Sequence, residues 1–347
     1  MRTKTIHITT ELFHINFGGI GTVCNELYLN KNEDEEFVLI VRKKGDDIKF
    51  IPNDVTVLDL EQMKYQSVFN ADKIIIHNFS VAYEYIKQFG SQNVYYVMHS
   101  NIVFERMYGT NLTAEDERKF IEVINKCKVI TVSDYEQDLL NTSLTMKELD
   151  PIDKNNFITI YNGITLEVNK TALKRNGSLG YIGRLDERKG IFELCNQFKE
   201  IKDKKLLLAT GGKGKFLEGF KIEFSNIINS SNNIVPLGYC SDKRKESFFN
   251  SIDALIIPSL YEPFGMTVLE AGIRNIPIIA NKTGGIAEIL GEDYPLYFDI
   301  NNKDSLNNAI NKFYSMNEEE LLKIINATYD RIGKFSVDNM INGYRNI

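Results

Sequence analysis

The sequence has no tryptophan, and only four cysteines, four histidines and seven prolines among its 347 residues. Cys24, Cys127, Cys195 and Cys240 lie far apart and form no Cys-x-x-Cys pair. In a chain of this size that excludes a disulfide frame or a cysteine zinc site and reads as isolated thiols in a reducing compartment. His7, His14, His77 and His99 lack the helical spacing of metal ligands. No Asp-x-Asp occurs. No apolar run reaches the roughly 18 residues needed to cross a bilayer as a helix. The N-terminus passes from Met1-Arg2-Thr3-Lys4 straight into strand-like alternation, too short for the apolar region of a signal peptide. The expected location is the cytoplasm, with the inner face of a membrane as an allowed place of work. The formal net charge of -6 gives no basic footprint for nucleic acid. Lys213 with Lys215, and Lys243-Arg244-Lys245, read as solvated loop charge.

What remains is an ordinary globular composition, 43% hydrophobic and 25% charged. The length exceeds what one core usually supports, so two domains are expected. Short β-rich runs alternate with helical stretches. Strands are predicted at 5–9, 37–41, 73–77, 94–99, 129–132 and 158–161, with helices at 21–28, 81–89, 114–126 and 135–140 between them. The series then restarts, with strands at 179–182, 205–209, 234–237, 254–258, 276–280 and 296–298. Runs such as Ile74-Ile75-Ile76 suit strands covered on both faces, and the alternation predicts parallel α/β sheets. Turn signals at Asn162-Gly163 and Asn176-Gly177 mark the break. The predicted organisation is an N-terminal domain over 1–165, a hinge over 166–178, a second domain over 179–330 and a C-terminal helix over 331–347 that crosses back to the first domain.

Three segments carry candidate chemistry. Gly18-Gly19-Ile20-Gly21 lies between the first strand and a helix, where glycines admit a ligand close to the backbone and the helix start offers N–H groups to a diphosphate. It lacks the third glycine of the dinucleotide fingerprint, and its plain alternative is a strand-to-helix turn. In the second segment, Gly183-Arg184-Leu185-Asp186-Glu187-Arg188-Lys189-Gly190, Arg184 supplies a planar fork of donors and Lys189 a point charge, five residues apart at a strand end. Both could meet one diphosphate, or they could pair with Asp186 and Glu187. The third, Pro258 to Gly272, places Glu262 on a loop after an apolar strand and Glu270 about one turn into the next helix. The N–H groups of Gly265, Met266 and Thr267 would be open at that helix start. The plain alternative is a helix with two exposed glutamates.

Taken in order, these segments resemble the retaining glycosyltransferases built of two Rossmann-like domains (GT-B), the "glycosyl transferases group 1" family. Glu262 and Glu270 match its Glu-x7-Glu signature within Glu262-Pro263-Phe264-Gly265, and Gly183-Arg184-Leu185 with Lys189-Gly190 matches a second pattern. Gly18-Gly19-Ile20-Gly21, Thr131-Val132-Ser133, Asn162-Gly163-Ile164 and Thr283-Gly284-Gly285 with Glu288 match further ones. Tyr161 and Thr165 depart from the family, which often has Pro before Asn-Gly and Asp soon after it.

The resemblance implies two parallel sheets facing across a deep cleft, and transfer of a sugar from a nucleotide-diphosphate donor such as a UDP-sugar. The acceptor would be a glycan, glycolipid or protein, as in polysaccharide biosynthesis, and the sugar would keep its configuration. The implied donor site is Gly18, Gly19, Ile20, Gly21, Arg184, Lys189, Glu262, Phe264, Gly265, Met266, Thr267 and Glu270. Glu262 would bind the sugar and Glu270 the ribose. His99, at a strand end, would contact the donor sugar and act in catalysis with Arg184, Lys189 and Glu262. With no Asp-x-Asp and two cations at hand, neither a cofactor nor a metal is expected. Two other readings stay open. A nucleotide-sugar epimerase would turn over donor without an acceptor, and a non-catalytic nucleotide-sugar-binding subunit would bind donor without turnover.

Overall fold

The computed structural model describes residues 3–13, 19–41, 51–63, 70–107, 111–166, 172–211, 217–240 and 242–347. The chain forms two compact units. Unit 1 is Met1–Gly163 with Val337–Ile347, and unit 2 is Ile164–Ser336.

Unit 1 is built on seven strands: β1 (Thr5–Thr9), β2 (Glu35–Val41), β3 (Val55–Asp59), β4 (Lys73–Ile76), β5 (Val94–Met98), β6 (Lys128–Thr131) and β7 (Phe157–Thr159). Every pair is parallel, in the order β3-β2-β1-β4-β5-β6-β7. All five residues of β1 are buried, as expected of a central strand covered on both faces. One face packs Ile6, Ile8, Ile74, Ile76 and Met98 against Phe120 and Val123 of the helix Ala114–Lys126. That helix opens with a capping box. Thr113 Oγ1 accepts from Asp116 N at 3.1 Å and Asp116 Oδ2 accepts from Thr113 N at 2.9 Å, an arrangement worth about 1 kcal/mol. The helix Val337–Arg345 belongs to this unit, where Arg345 pairs with Glu35 and its carbonyl accepts from Lys73 Nζ.

Unit 2 has six strands: β8 (Ser178–Arg184), β9 (Lys205–Gly211), β10 (Ile234–Pro236), β11 (Ala254–Ile257), β12 (Ile278–Asn281) and β13 (Tyr297–Phe298). They too are all parallel, in the order β10-β9-β8-β11-β12-β13. Both sheets are therefore doubly wound. The strand order reverses between β1 and β4 in unit 1 and between β8 and β11 in unit 2. Such sheets take ligands outside the carboxyl ends of the strands at these reversals.

Several elements differ from the sequence expectation, the helices Leu60–Met63 and Ser305–Ser315 among them. The strand β3 and the helix Ile102–Met107 were not predicted. The helix placed at 135–140 runs over Asp134–Met146. Its later polar residues fit because Thr142, Ser143 and Thr145 each turn a hydroxyl back onto the carbonyl four residues earlier, at 2.7–2.9 Å. Among the described residues no helix is long and apolar enough to cross a membrane. The four cysteines are free, and burial pushes the thiols of Cys24, Cys127 and Cys195 up to about 12.

Candidate functional site

In unit 2 the loops that leave β8, β11 and β12 are tied together by their backbones. The Arg188 carbonyl accepts from Leu260 N at 2.8 Å and Tyr261 N at 3.2 Å. The Glu262 carbonyl accepts from Gly285 N at 3.0 Å, and Asn281 Nδ2 donates to the Ser259 carbonyl at 2.9 Å. Two glycines make this closeness possible. Gly190 sits at φ +61°, and a Cβ there would lie 2.1 Å from the Pro258 oxygen. A Cβ on Gly285 would lie 2.3 Å from the Phe264 oxygen and 2.4 Å from its Cα. Only glycine lets these chains pass.

The clamp brings two predicted side chains face to face. Lys189 Nζ donates to Glu262 Oε2 at 2.7 Å, and the same oxygen accepts from Ser259 Oγ at 3.2 Å. Glu262 is 9% exposed, so its charge is held by these partners rather than by water. The plain alternative, pairing of Lys189 with Asp186 or Glu187, is not what forms. Asp186 instead receives Arg188, at 3.0 Å from Nε and 2.6 Å from Nη2. Burial raises the pKa of Asp186, but the Arg188 hydrogen bonds and the charges of Arg188 and Arg184 outweigh it and hold the carboxyl below its usual range. Arg184 ends β8 with its side chain exposed. Gly265, at φ +118°, opens the helix Met266–Gly272 with no side-chain cap; Phe264 beside it is buried, and Met266 and Thr267 are half-buried in the first turn.

Glu270 is not a free surface glutamate. Its Oε1 accepts from Lys245 Nζ at 2.7 Å, and Arg274 bridges its carbonyl to the Glu246 carboxylate. Lys245 reaches it from the helix Asp242–Phe249, which precedes β11. The sequence reading took the run at 243–245 as solvated charge, and for Lys245 that is corrected. The contact depends on strand order, which the local sequence does not carry. Ser259 was given no role in the sequence reading; its place three residues before Glu262 on the same loop was the available signal.

In unit 1, Gly18 and His14 fall outside the described residues, as do Lys213 and Lys215 in unit 2. The helix Gly19–Leu29 starts after β1. Gly19 is exposed, with nothing within 4 Å of where a Cβ would stand, and Ile20 is half-buried. Gly21 is buried and donates its N–H to Glu11 Oε2 at 3.1 Å. The protein's own carboxylate thus takes one of the amides the sequence reading assigned to a diphosphate.

His99 follows β5 and is half-buried. It is one of three histidines in a row, since His7 Nδ1 lies 3.3 Å from His77 Nε2 and His77 Nδ1 lies 3.2 Å from His99 Nε2. Burial lowers His99 to about 3 and His7 to about 4, and lowers His77 well below its ordinary value. The sequence reading gave His7 and His77 no role. His77 directly follows β4 as His99 follows β5, and that shared position was the available signal. Among the described residues no group of three or more His, Cys, Asp or Glu is placed to hold a metal ion.

Residues 166–331, nearly all of unit 2, match the family described as glycosyl transferases group 1. An uncharacterized glycosyltransferase of Methanocaldococcus jannaschii is 30% identical over 228 residues, covering 64% of this chain and 59% of that protein. The chain thus matches about six tenths of this curated relative's length. The capsular polysaccharide biosynthesis glycosyltransferase CapM of Staphylococcus aureus is 28% identical over 162 residues, 44% of this chain and 40% of CapM. Among solved structures, HepE of Anabaena, in complex with UDP and glucose, superposes with a TM-score of 0.78 at 17% identity, covering 98% of each chain. At that identity the likeness speaks for the fold, two parallel doubly wound α/β units of the GT-B kind. Through residues 166–331 and the segments clamped around Glu262, the chain is similar to the glycosyl transferases group 1 family.

Proposed function

We propose that the chain is a glycosyltransferase that moves a sugar from a nucleotide-diphosphate donor to a glycan, glycolipid or protein acceptor, with retention and without a required metal. The observation that carries this is the half-buried Lys189–Glu262 pair, set where the loops after β8 and β11 meet at the reversal of strand order. A diphosphate entering there competes for Lys189 Nζ. Once the lysine turns to phosphate, Glu262 is left to accept hydrogen bonds from sugar hydroxyls. Arg184, exposed at the end of β8, adds a second cation. Negative charge grows on the leaving diphosphate as the sugar–phosphate bond breaks, so fixed cations favour the transition state over the ground state. The start of the helix Met266–Gly272, with Phe264, Gly265, Met266 and Thr267, contributes backbone donors. Glu270, oriented by Lys245, is assigned to the ribose, and His99 to the donor sugar.

HepE, solved with UDP and glucose, favours a UDP-sugar. CapM, named for capsular polysaccharide biosynthesis, favours a polysaccharide acceptor. The test is release of nucleoside diphosphate from a panel of nucleotide sugars, with acceptor oligosaccharides and glycolipids, in a chelator and in manganese. Acceptor-dependent release that persists in the chelator is expected. Release restored only by manganese contradicts the metal-free scheme. Turnover without acceptor points to the epimerase reading, and binding without turnover over the whole panel to a binding subunit.

A further inference from the structure

The three histidines of unit 1 form a buried stack. Phe37 lies flat on His7, with centroids 4.7 Å apart and planes within 8°. His7 and His77 follow at 5.6 Å, then His77 and His99 at 5.4 Å, with interplanar angles of 24° and 25°. The register of the sheet builds this. His7 on β1 is the direct partner of Phe37 on β2, and His77 and His99 extend the next two parallel strands beyond their carboxyl ends. Tyr344 closes the side, edge-on to His7 and tilted against His77.

We propose that His7 and His77 are positioning residues that hold His99 as a neutral imidazole protonated on Nδ1, so that it meets its ligand as a hydrogen-bond donor. The argument is a count of protons. Three neutral rings carry three N–H groups, and each of the two nitrogen–nitrogen contacts takes one. The third proton belongs to one end of the row, on His7 Nε2 or on His99 Nδ1. His7 is 2% exposed, and among the described residues its ring makes one hydrogen bond, through Nδ1. The hydroxyl of Tyr344, buried and without a partner, accepts nothing from His7 Nε2. A proton on that nitrogen would put a donor on the end ring that is more withdrawn from water, which is unfavourable. The half-buried His99 end is where the proton is tolerated. His7 then donates from Nδ1 to His77 Nε2, and His77 from Nδ1 to His99 Nε2. All three rings carry the tautomer less common in water, and His99, with its Nε2 lone pair filled, is no general base. Neutrality agrees with the surroundings of the row: burial disfavours the charged form of all three rings, against the pull of Glu35 on His7, where Arg345 adds to the burial, and His99 and His7 add to it at His77.

The functional half of this inference rests on the assignment of His99 to the donor sugar; the tautomer does not. Long-range proton–nitrogen NMR correlation of the 15N-labelled full chain reads tautomers directly, with four histidines to assign. The expected spectrum shows His7, His77 and His99 neutral and protonated on Nδ1. His77→Phe keeps a stacking ring and removes both ring nitrogens. It should release His99 to a tautomer mixture or to Nε2–H, and lower sugar-transfer kcat about tenfold at unchanged affinity for the nucleoside diphosphate. His99 protonated on Nε2 in the unmodified protein overturns the inference, as does an unchanged His99 tautomer in folded His77→Phe. A released tautomer with unchanged kcat overturns the role in transfer and leaves the donor-binding function of unit 2 standing.

Discussion

Lys189 and Arg184 carry the same charge in different surroundings, and that difference separates their expected mutant behaviour. Lys189→Ala removes the cation from a carboxylate that is 9% exposed. It should cost about 1 kcal/mol of stability, since Lys189 keeps some access to water, and it should lower sugar-transfer turnover by about two orders of magnitude or more if the lysine holds transition-state charge. Arg184 is exposed, so Arg184→Ala should leave urea stability within about 0.5 kcal/mol while lowering turnover comparably. Near-normal rates in both variants would remove the electrostatic scheme. Arg184, Lys189 and Glu262 were legible because each stands next to a turn signal at a strand end. Lys245 and the His7–His77 contact were not, because they depend on which strands become neighbours.

Among the elements, the clamped loops of unit 2 set the strictest demand. A Cβ at Gly190 or Gly285 would sit inside contact distance of another segment's backbone, which cannot move aside as a flexible side chain can. Gly190→Ala and Gly285→Ala should each destabilise by about 2 kcal/mol or more in urea unfolding. Gly19 is the contrast, with open space around it and the ordinary helical sign of φ. Gly19→Ala should leave stability unchanged and weaken donor binding, if the close approach there serves a ligand. The alternation of strands and helices was readable from hydrophobic period and turn residues. The strand β3 escaped because it is short and partly exposed, with a pattern too brief to separate from loop. The helix Asp134–Met146 was underestimated because its hydroxyl residues satisfy themselves against the helix backbone.

At the scale of the whole molecule, the histidine stack links stability to pH. In the unfolded chain these groups titrate near 6.5, whereas in the fold His7 is lowered to about 4, His99 to about 3, and His77 well down. Between those limits the unfolded state binds protons that the fold refuses. The stabilisation is therefore complete above about pH 6.5 and is lost as pH falls toward 4, with a slope of up to about 1.4 kcal/mol per pH unit for each histidine. Urea midpoints at pH 7.5 and pH 5.5 should show the loss, and His77→Phe should reduce its slope. A flat profile would mean that the rings are not held neutral. The two-unit α/β plan was legible from length and from the restart of the strand series. The identity of the sugar and the acceptor was not, because no motif in the chain selects them.

The central claim is that unit 2 holds a nucleoside diphosphate on Lys189, Arg184 and the Glu262 loop. The most direct measurement is the melting temperature of the full chain with UDP, GDP, ADP and their sugar conjugates, in EDTA and in manganese. A ligand that binds only the folded form stabilises by mass action, about 2.7 kcal/mol at a hundred times its Kd. The account predicts a rise with one base and its sugar conjugates, undiminished in EDTA and lost in Lys189→Ala. No shift with any nucleotide would contradict it.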